Sequence, residues 1–517
     1  MFDRQKIRPG SKYLVDESKL TGTAEYLICP FDESELREAV RINHSKGNKM
    51  TISAMRTGVC GGCVPPGGYV ISLERMKGIV GIGKDERGFF VRTLPCTTVA
   101  ELNRRLMERR FEDLVDITPG AREQLIAESM PWFYPVDPTE TEGSIGGNIA
   151  CNSSGPRTYK YGPAGDWVRG LHVVLPNGQD MRISRGDIRA HGRRITFPAG
   201  RELYSFDVPS YDFNRKVKNS AGPRICEDMD LLDLFIGSEG SFGIIAEADV
   251  YLTPWHPLVS VVLFMPSDDD ALSAVKEIRS DDALDPEFLE FMDCGSINLL
   301  RRVKGSDPAL LRIPDFPEAA GAALFLDLPD DDTLPDALER LSEIAAGHGC
   351  KRGMTWCGSE EADRKRMREM RHAIPRSVFE YVASLKSEMP RIHKMGTDMS
   401  VPDEAADEMM SYYRERLGES GLEYVMFGHI GNNHPHVEII LKSMEDLATA
   451  EKAYMDLAKK AVSLGGSATA EHGVGKIKTS YMELMYGEKG VEELRRVKNE
   501  LDPKGVLCPG NIFGADP

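Results

Sequence analysis

Residues 33–46 place Leu36, Ala39, Val40 and Asn43 on one helical face, with Asp32 or Ser34 as N-cap and Gly47 as the stop. Short apolar runs at 26–29, 50–53, 69–73 and 88–92 read as strands around this helix, and 98–110 reads as a second helix with Val99, Leu102 and Leu106 on one stripe. The mixture predicts an α+β unit. No strand leads directly into G-x-G-x-x-G, so a Rossmann dinucleotide unit is not supported.

Further on, 171–175 and 181–183 form a predicted hairpin across Pro176-Asn177-Gly178. Residues 186–229 are polar and irregular, with basic clusters in HGRR and FNRKVK, and read as a surface insertion or lid. An alternating strand at 244–252 ends at Pro254-Trp255-His256-Pro257, a natural boundary. Beyond it, strands at 258–265 and 322–328 alternate with helices at 269–279 and 333–346. A strand at 394–401, a helix at 403–417, a broken strand at 424–440 and a helix at 444–464 follow. Two such sets predict an antiparallel sheet backed by helices, suited to a separate substrate cap.

One stretch obeys neither periodicity. Residues 133–155, FYPVDPTETEGSIGGNIACNSSG, enter through Pro135 and Pro138 and continue through Gly143, Ser144, Gly146, Gly147 and Asn148 to Asn152, Ser153, Ser154 and Gly155. Few of these side chains can pack, so the work falls to the backbone, whose serial amides make an anion-binding concavity suited to a diphosphate. Residues 51–65 (TISAMRTGVCGGCVP) and 235–247 (FIGSEGSFGIIAE) are two more runs of small residues. Any one of them alone reads as a glycine-rich surface loop.

With 517 residues, two or more domains are expected. A formal net charge of -17 argues against a nucleic-acid groove while leaving room for a local basic pocket for a small acid. No apolar stretch follows Met1 and no run of about 18 apolar residues occurs, so neither signal peptide nor membrane span is expected and the cytoplasm is the expected location. Ten cysteines form no iron–sulfur run or four-cysteine zinc pattern. Cys60 and Cys63 sit within a glycine loop rather than at a strand-to-helix redox turn, so they read as small residues beside a cofactor.

Three of the eleven histidines fall in the phrase GHIGNNHPH, residues 428–436. Imidazoles completed by a carboxylate suit Zn²⁺ or Mn²⁺, and Glu471 is the candidate carboxylate; a polar loop of hydrogen-bonded imidazoles is the alternative. Neighbours on an extended chain point to opposite sides, so Glu471 could hold metal while His472 takes a substrate hydroxyl proton or merely supports Glu471.

Taken jointly, these runs resemble the FAD-binding fold of the vanillyl-alcohol oxidase and p-cresol methylhydroxylase superfamily. More closely, residues 26–513 resemble FAD-linked D-2-hydroxy-acid dehydrogenases of the D-lactate, glycolate and D-2-hydroxyglutarate types. The resemblance implies a two-subdomain PCMH-type FAD-binding domain over 1–255, an antiparallel-sheet cap backed by helices over 256–465, and a C-terminal segment, 466–517, returning to the FAD domain. Implied FAD contacts are Arg56, Thr57, Gly58, Gly61, Gly62, Pro135, Asp137, Thr141, Gly143, Ser144, Gly146, Gly147, Asn148, Asn152, Ser153, Gly155, Glu239, Gly243, Ile244 and Asn511. No histidine lies in 51–65, where some relatives attach flavin, so the FAD is expected to be non-covalent.

Relatives carry His-x-Gly-Asp-Gly-Asn-x-His and a later Glu-His-Gly, whose outer histidines and glutamate bind metal. The matching positions are His429, His436 and Glu471, implying one divalent ion, Zn, Mn or Fe. Asn432, Asn433 and His434 depart from that phrase, leaving His434 as a further ligand or a substrate contact. Arg371 aligns with an arginine that grips the substrate carboxylate in relatives, although Met367 and His372 depart from their pattern, and Lys394 is a second candidate cation. The implied activity is oxidation of a small D-2-hydroxy acid, D-lactate-like, to the 2-oxo acid. Hydride passes to flavin N5, and electrons to an electron-transfer flavoprotein or an iron–sulfur subunit; a homodimer is compatible with this. Other readings are a metal-dependent hydrolase built on the histidine cluster, a non-catalytic flavin subunit of a larger complex, and an ether-lipid synthase type, for whose long substrate no apolar run marks a tunnel.

Overall fold

The structure, a computed structural model, describes residues 4–514; residues 1–3 and 515–517 lie outside it. Helix Glu33–Lys46 begins where Asp32 accepts the Glu35 N–H at 2.9 Å and ends at Gly47, whose φ of 70° is left-handed. Its inner face carries Leu36, Ala39 and Val40 onto a four-stranded sheet in which Tyr26–Ile28, Tyr69–Ser72 and Met50–Ser53 run parallel. A six-stranded sheet adjoins it, ordered Asp180–Ser184, Val168–Val174, Ile244–Tyr251, Gly88–Thr93, Ile79–Asp85, Val115–Asp116. The expected hairpin lies at its edge, with Gly178 at φ 83° in the turn.

A separate seven-stranded sheet runs Thr355–Gly358, Leu258–Met265, Ala322–Pro329, Leu289–Met292, Glu423–His429, His434–Ile440, Met395–Gly396, every pairing antiparallel. Helices Asp268–Ser280, Leu334–Gly347, Glu361–Leu385, Ala406–Ser420 and Met444–Ser463 share its core. The class is α+β. Helix Thr479–Leu501 returns Met482, Val491, Leu494 and Val497 to the core of the six-stranded half, and Met50 exchanges backbone hydrogen bonds with Val506 and Cys508.

Four expectations are corrected. Residues 186–229 are not a surface insertion: Arg194–Ala199 and Glu202–Asp207 form a hairpin that buries Ile195, Phe197 and Ala199, and Lys218, Asn219, Ser220, Arg224 and Ile225 are buried beyond it. The polar residues between them hid a strand alternation. Inside the central stretch, Ser144 caps a helix, Ile145–Cys151, by accepting the Gly147 N–H at 3.2 Å. The strand expected over 394–401 contracts to Met395–Gly396. Finally, Glu361–Leu385, not anticipated, is helical despite Pro375, with Met367, Met370, Ile374, Val378 and Val382 buried along one stripe.

Candidate functional site

A cleft of ≈ 1640 Å³ runs between the small-residue loops and the seven-stranded half. Ligand pockets reach about 1,000 Å³, so this one has room for a large cofactor and a substrate together. Arg56, Thr57, Gly58, Gly62, Ser144, Gly146, Gly147, Asn148, Ser153, Glu239, Gly243, Ile244 and Asn511 line it. Gly61, Pro135, Asp137, Thr141, Gly143, Asn152 and Gly155 stand outside that lining. Asp137 accepts the Arg157 N–H at 2.9 Å; Asn152, at φ 49°, accepts the Gly165 N–H and donates to the Asn219 carbonyl; and Pro135 is buried in the core. A Cβ at Gly155 would lie 2.0 Å from the Asp137 carbonyl oxygen. Thr141 is exposed.

The glycines divide into two kinds. A Cβ at Gly146 would meet Pro95 at 2.8 Å, so glycine there serves packing between protein segments. A Cβ at Gly58 would meet nothing within 4 Å, yet Gly58 is on the cleft wall: its bareness serves whatever fills the cleft. Asn511 clamps the loops together, donating to the Gly62 and Glu239 carbonyls at 2.9 and 3.0 Å. Burial pushes the Cys60 and Cys63 thiols up to about 12, so both stay protonated and unreactive near neutrality.

At the inner end of the cleft, the register of the hairpin Glu423–His429/His434–Ile440 sets His429 opposite His434 and Phe427 opposite His436. Nε2 of His436 and Nε2 of His429 converge on Oε1 of Glu471, at 3.2 and 3.3 Å. Nδ1 of His436 donates to the Thr397 carbonyl at 3.0 Å, and Nδ1 of His429 lies 2.5 Å from Oε1 of Glu290. Both partners are acceptors, so in its neutral form each ring turns a lone pair toward the carboxylate, an arrangement that a cation would satisfy. Burial opposes charge on His429, yet Glu471 and Glu290 raise its pKa, and a proton on its Nε2 would donate to Glu471 instead. Ligand atoms bound at about 2.0–2.1 Å in a tetrahedron stand about 3.3–3.4 Å apart, close to these separations. His434 is fully buried, with Nε2 3.3 Å from Oδ1 of Asp398 and Nδ1, which has no hydrogen-bond partner among the described residues, 3.9 Å from Oε2 of Glu471. Burial, then the nearby His436, pushes His434 down to about 3, leaving it a neutral ligand. The donor set His429, His434, His436 and Glu471 therefore fits a divalent ion, its ligand atoms all within 4.8 Å of one another.

Three carboxylates hold this arrangement from behind. Asp398 accepts the N–H groups of Glu471 and His472 at 3.1 and 3.2 Å, and its Oδ2 also lies 3.2 Å from Nδ1 of His472 and 2.6 Å from Nζ of Lys478. Burial opposes its charge, but His472 and Lys478 hold it well below the usual range. Glu239 accepts the Val474 and Gly475 N–H groups, fixing the other end of the loop. Burial likewise opposes ionisation of Glu290, yet Arg371 and His429 hold it at about 2. Arg371 is thus placed behind the cluster, with Nε 3.4 Å from Glu290 and outside the lining of the cleft; Lys394 and His472 are on the wall.

Several residues escape sequence reasoning. Lys218 donates to the Gly155 carbonyl at 2.8 Å and lies 3.2 Å from Oε2 of Glu471; it came from the stretch read as an insertion, and the small run Asn219-Ser220-Ala221-Gly222 after it was the available signal of burial. Glu290 lies in LEFM, too short a run to mark its carboxylate, and Glu438 lies mid-strand on the cleft wall.

Residues 24–184 match the family model of an FAD binding domain and residues 257–512 that of the C-terminal domain of FAD linked oxidases. Glycolate oxidase subunit GlcD of Bacillus subtilis (strain 168) is 27% identical over 504 residues, covering 95% of this chain and 89% of that protein. The D-lactate dehydrogenase of Anaerostipes hadrus is 25% identical, covering 96% and 91%, and the D-2-hydroxyglutarate dehydrogenase of Xanthomonas citri pv. viticola is 25% identical, covering 94% and 89%. A solved structure of alkyldihydroxyacetonephosphate synthase shares the fold, with TM-score 0.59 and 13% identity over 95% of this chain and 78% of that one. Fold and cleft thus define an FAD-linked oxidoreductase, which sets the metal-hydrolase reading aside. The chain belongs to the FAD-linked oxidase family with the PCMH-type FAD-binding fold, the hydroxy-acid dehydrogenase and oxidase type.

Proposed function

We propose that this protein is a dehydrogenase that oxidises a small D-2-hydroxy acid, D-lactate-like, to the 2-oxo acid. One observation carries the reading: the flavin cleft ends at His472 beside a cluster in which Nε2 of His429 and Nε2 of His436 converge on Glu471. FAD, when bound without a covalent link along the small-residue loops, supplies the hydride acceptor. A divalent ion (Zn, Mn or Fe), when held by His429, His434, His436 and Glu471, supplies charge that stabilises an alkoxide.

The chain's own residues position and deprotonate. Asp398 beside Nδ1 of His472 favours the tautomer with its proton there, leaving Nε2 to take the substrate hydroxyl proton. His472 stacks on His436 at 5.7 Å and 19°, which fixes the ring plane. On the cleft wall Lys386 and Arg391 present positive charge to a carboxylate substrate, with Lys394, paired to Glu438, beside them. Arg371 acts one step removed, ordering Glu290 and through it His429.

The domain partition at 255/256 and 465/466, an electron-transfer flavoprotein or iron–sulfur subunit as electron acceptor, a homodimer and a cytoplasmic location complete the proposal. No helix among the described residues is long and apolar enough to cross a membrane. Anaerobic titration of the yellow protein with D- and L-2-hydroxy acids tests the reaction: D-enantiomers bleach the flavin, and flavin that stays oxidised throughout overturns the reading. Turnover in air equal to that with an artificial acceptor overturns the choice of a protein acceptor.

A further inference from the structure

Strand His434–Ile440 turns His434, His436 and Glu438 to one face, because alternate strand residues share a side. His436 faces Glu471, so the next side chain on that face, about 7 Å further along, stands beside whatever occupies the inner cleft. That residue is Glu438, a cleft-lining carboxylate only 4% exposed. The fold makes a seat for it: Gly396 is its register partner, and a Cβ there would stand 2.6 Å from Oε1 and 2.9 Å from Oε2. Oε1 pairs with Nζ of Lys394 at 2.6 Å. Oε2 is buried and has no hydrogen-bond partner among the described residues.

A buried acceptor without a donor carries the full desolvation penalty, so its partner is to be sought in the ligand. The ligand must also suit Lys394, a donor lying against the same carboxylate. An alkyl tail satisfies neither group. A second carboxylate would suit Lys394 but set like charge against Glu438. A hydroxyl group suits both, donating to Oε2 and accepting from Nζ.

We propose that Glu438 and Lys394 form a subsite selecting 2-hydroxy acids that carry a further chain hydroxyl, the polyhydroxy or aldonic acids, over simple alkyl acids and dicarboxylates. This rests on the hydroxy-acid reading above and names the substrate class within it. Sites built to hydrogen-bond a substrate hydroxyl reject the analogue lacking it far more strongly than apolar pockets discriminate by size.

The test is stopped-flow flavin reduction of the holoenzyme without oxygen, using D-lactate, D-glycerate, D-gluconate, D-2-hydroxybutyrate and D-2-hydroxyglutarate. D-glycerate differs from D-lactate only by the C3 hydroxyl. The expected result is that D-glycerate reduces the flavin at least about tenfold more efficiently than D-lactate, and D-gluconate at least about tenfold more efficiently than D-2-hydroxybutyrate. Glu438→Leu should bring that ratio within about threefold, and the isosteric Glu438→Gln should leave it intermediate. Ratios within about threefold for every pair in the wild-type protein overturn the subsite, as does a ratio that Glu438→Leu leaves unchanged or a preference for D-2-hydroxyglutarate. The wild-type comparison needs no variant to fold, and retained flavin absorbance shows that the variants are loaded. Bleaching without preference for the added hydroxyl overturns the subsite alone; no bleaching by any hydroxy acid overturns the dehydrogenase reading together with it.

Discussion

The ammonium of Lys218 stands 3.2 Å from Oε2 of Glu471 with 1% of its side chain exposed, while His429 and His436 approach the other oxygen, Oε1. Burial opposes ionisation of Glu471, and Lys218 is the largest of the influences that nevertheless hold it well below the usual carboxylate range. Replacing Lys218 by methionine removes that influence and lets Glu471 take up a proton at higher pH. The acid limb of the pH profile for flavin reduction should therefore move upward. Breaking a buried pair by deleting one partner also costs roughly 3–5 kcal/mol, so the urea midpoint at neutral pH should fall. An unmoved limb with an unchanged midpoint would show that the contact contributes nothing.

The histidine cluster divides by metal content. Alanine at His434, His436 or Glu471 should strip the ion as well as slow flavin reduction, because each residue contributes a converging ligand atom. Alanine at His472 should leave metal in place and slow reduction about a hundredfold or more, the usual scale for a general base. Glu290→Ala should weaken metal binding about 10–100-fold without touching a ligand, since it removes the partner of His429 Nδ1. Elemental analysis of purified variants beside stopped-flow rates separates these classes.

Sequence periodicity carried the helix Glu33–Lys46 and the strand Leu258–Met265 because each buries a regular stripe or run. It missed Glu361–Leu385, whose buried Met367, Met370 and Ile374 are interleaved with charge and followed by Pro375. Within the site, the dense histidines of 428–436 and the Glu471-His472 pair were legible as types and spacings. Lys218, Asp398 and Glu290 act through partners 253, 74 and 139 residues away, separations that no local pattern encodes. Arg371 shows the converse: its identity was legible, but its place behind Glu290 depends on how the long helix packs.

Gly58 separates cofactor binding from folding. Its φ is outside the left-handed region and no protein atom lies within 4 Å of a Cβ built there, so Gly58→Val should fold with the wild-type thermal transition of the flavin-free protein. The branched side chain would project into the cleft and exclude the cofactor. The variant should purify colourless, whereas acid precipitation of the wild-type protein should release all its flavin to the supernatant. Normal flavin content in Gly58→Val would show that the cofactor does not pass this position. Flavin retained in the wild-type pellet would show a covalent link.

Asp293 gives a pH-dependent stability that lies outside the catalytic cluster. Its carboxylate caps helix Cys294–Val303 by accepting the Ser296 N–H at 2.7 Å, yet it is only 7% exposed, and burial pushes its pKa up to about 6. In the unfolded chain an aspartate titrates near about 3.9. Between those values the folded protein holds a proton that the unfolded chain has lost. The contribution to stability is therefore fully present below about pH 4, declines as pH rises, and is lost above about pH 6, a difference of about 2–3 kcal/mol. Asparagine caps as well as aspartate and does not titrate. Asp293→Asn should match wild-type stability near pH 4 and exceed it by about that amount at pH 8, read as a higher urea midpoint at the alkaline end alone. A gain equal at both pH values would place the effect in the cap rather than in the buried charge.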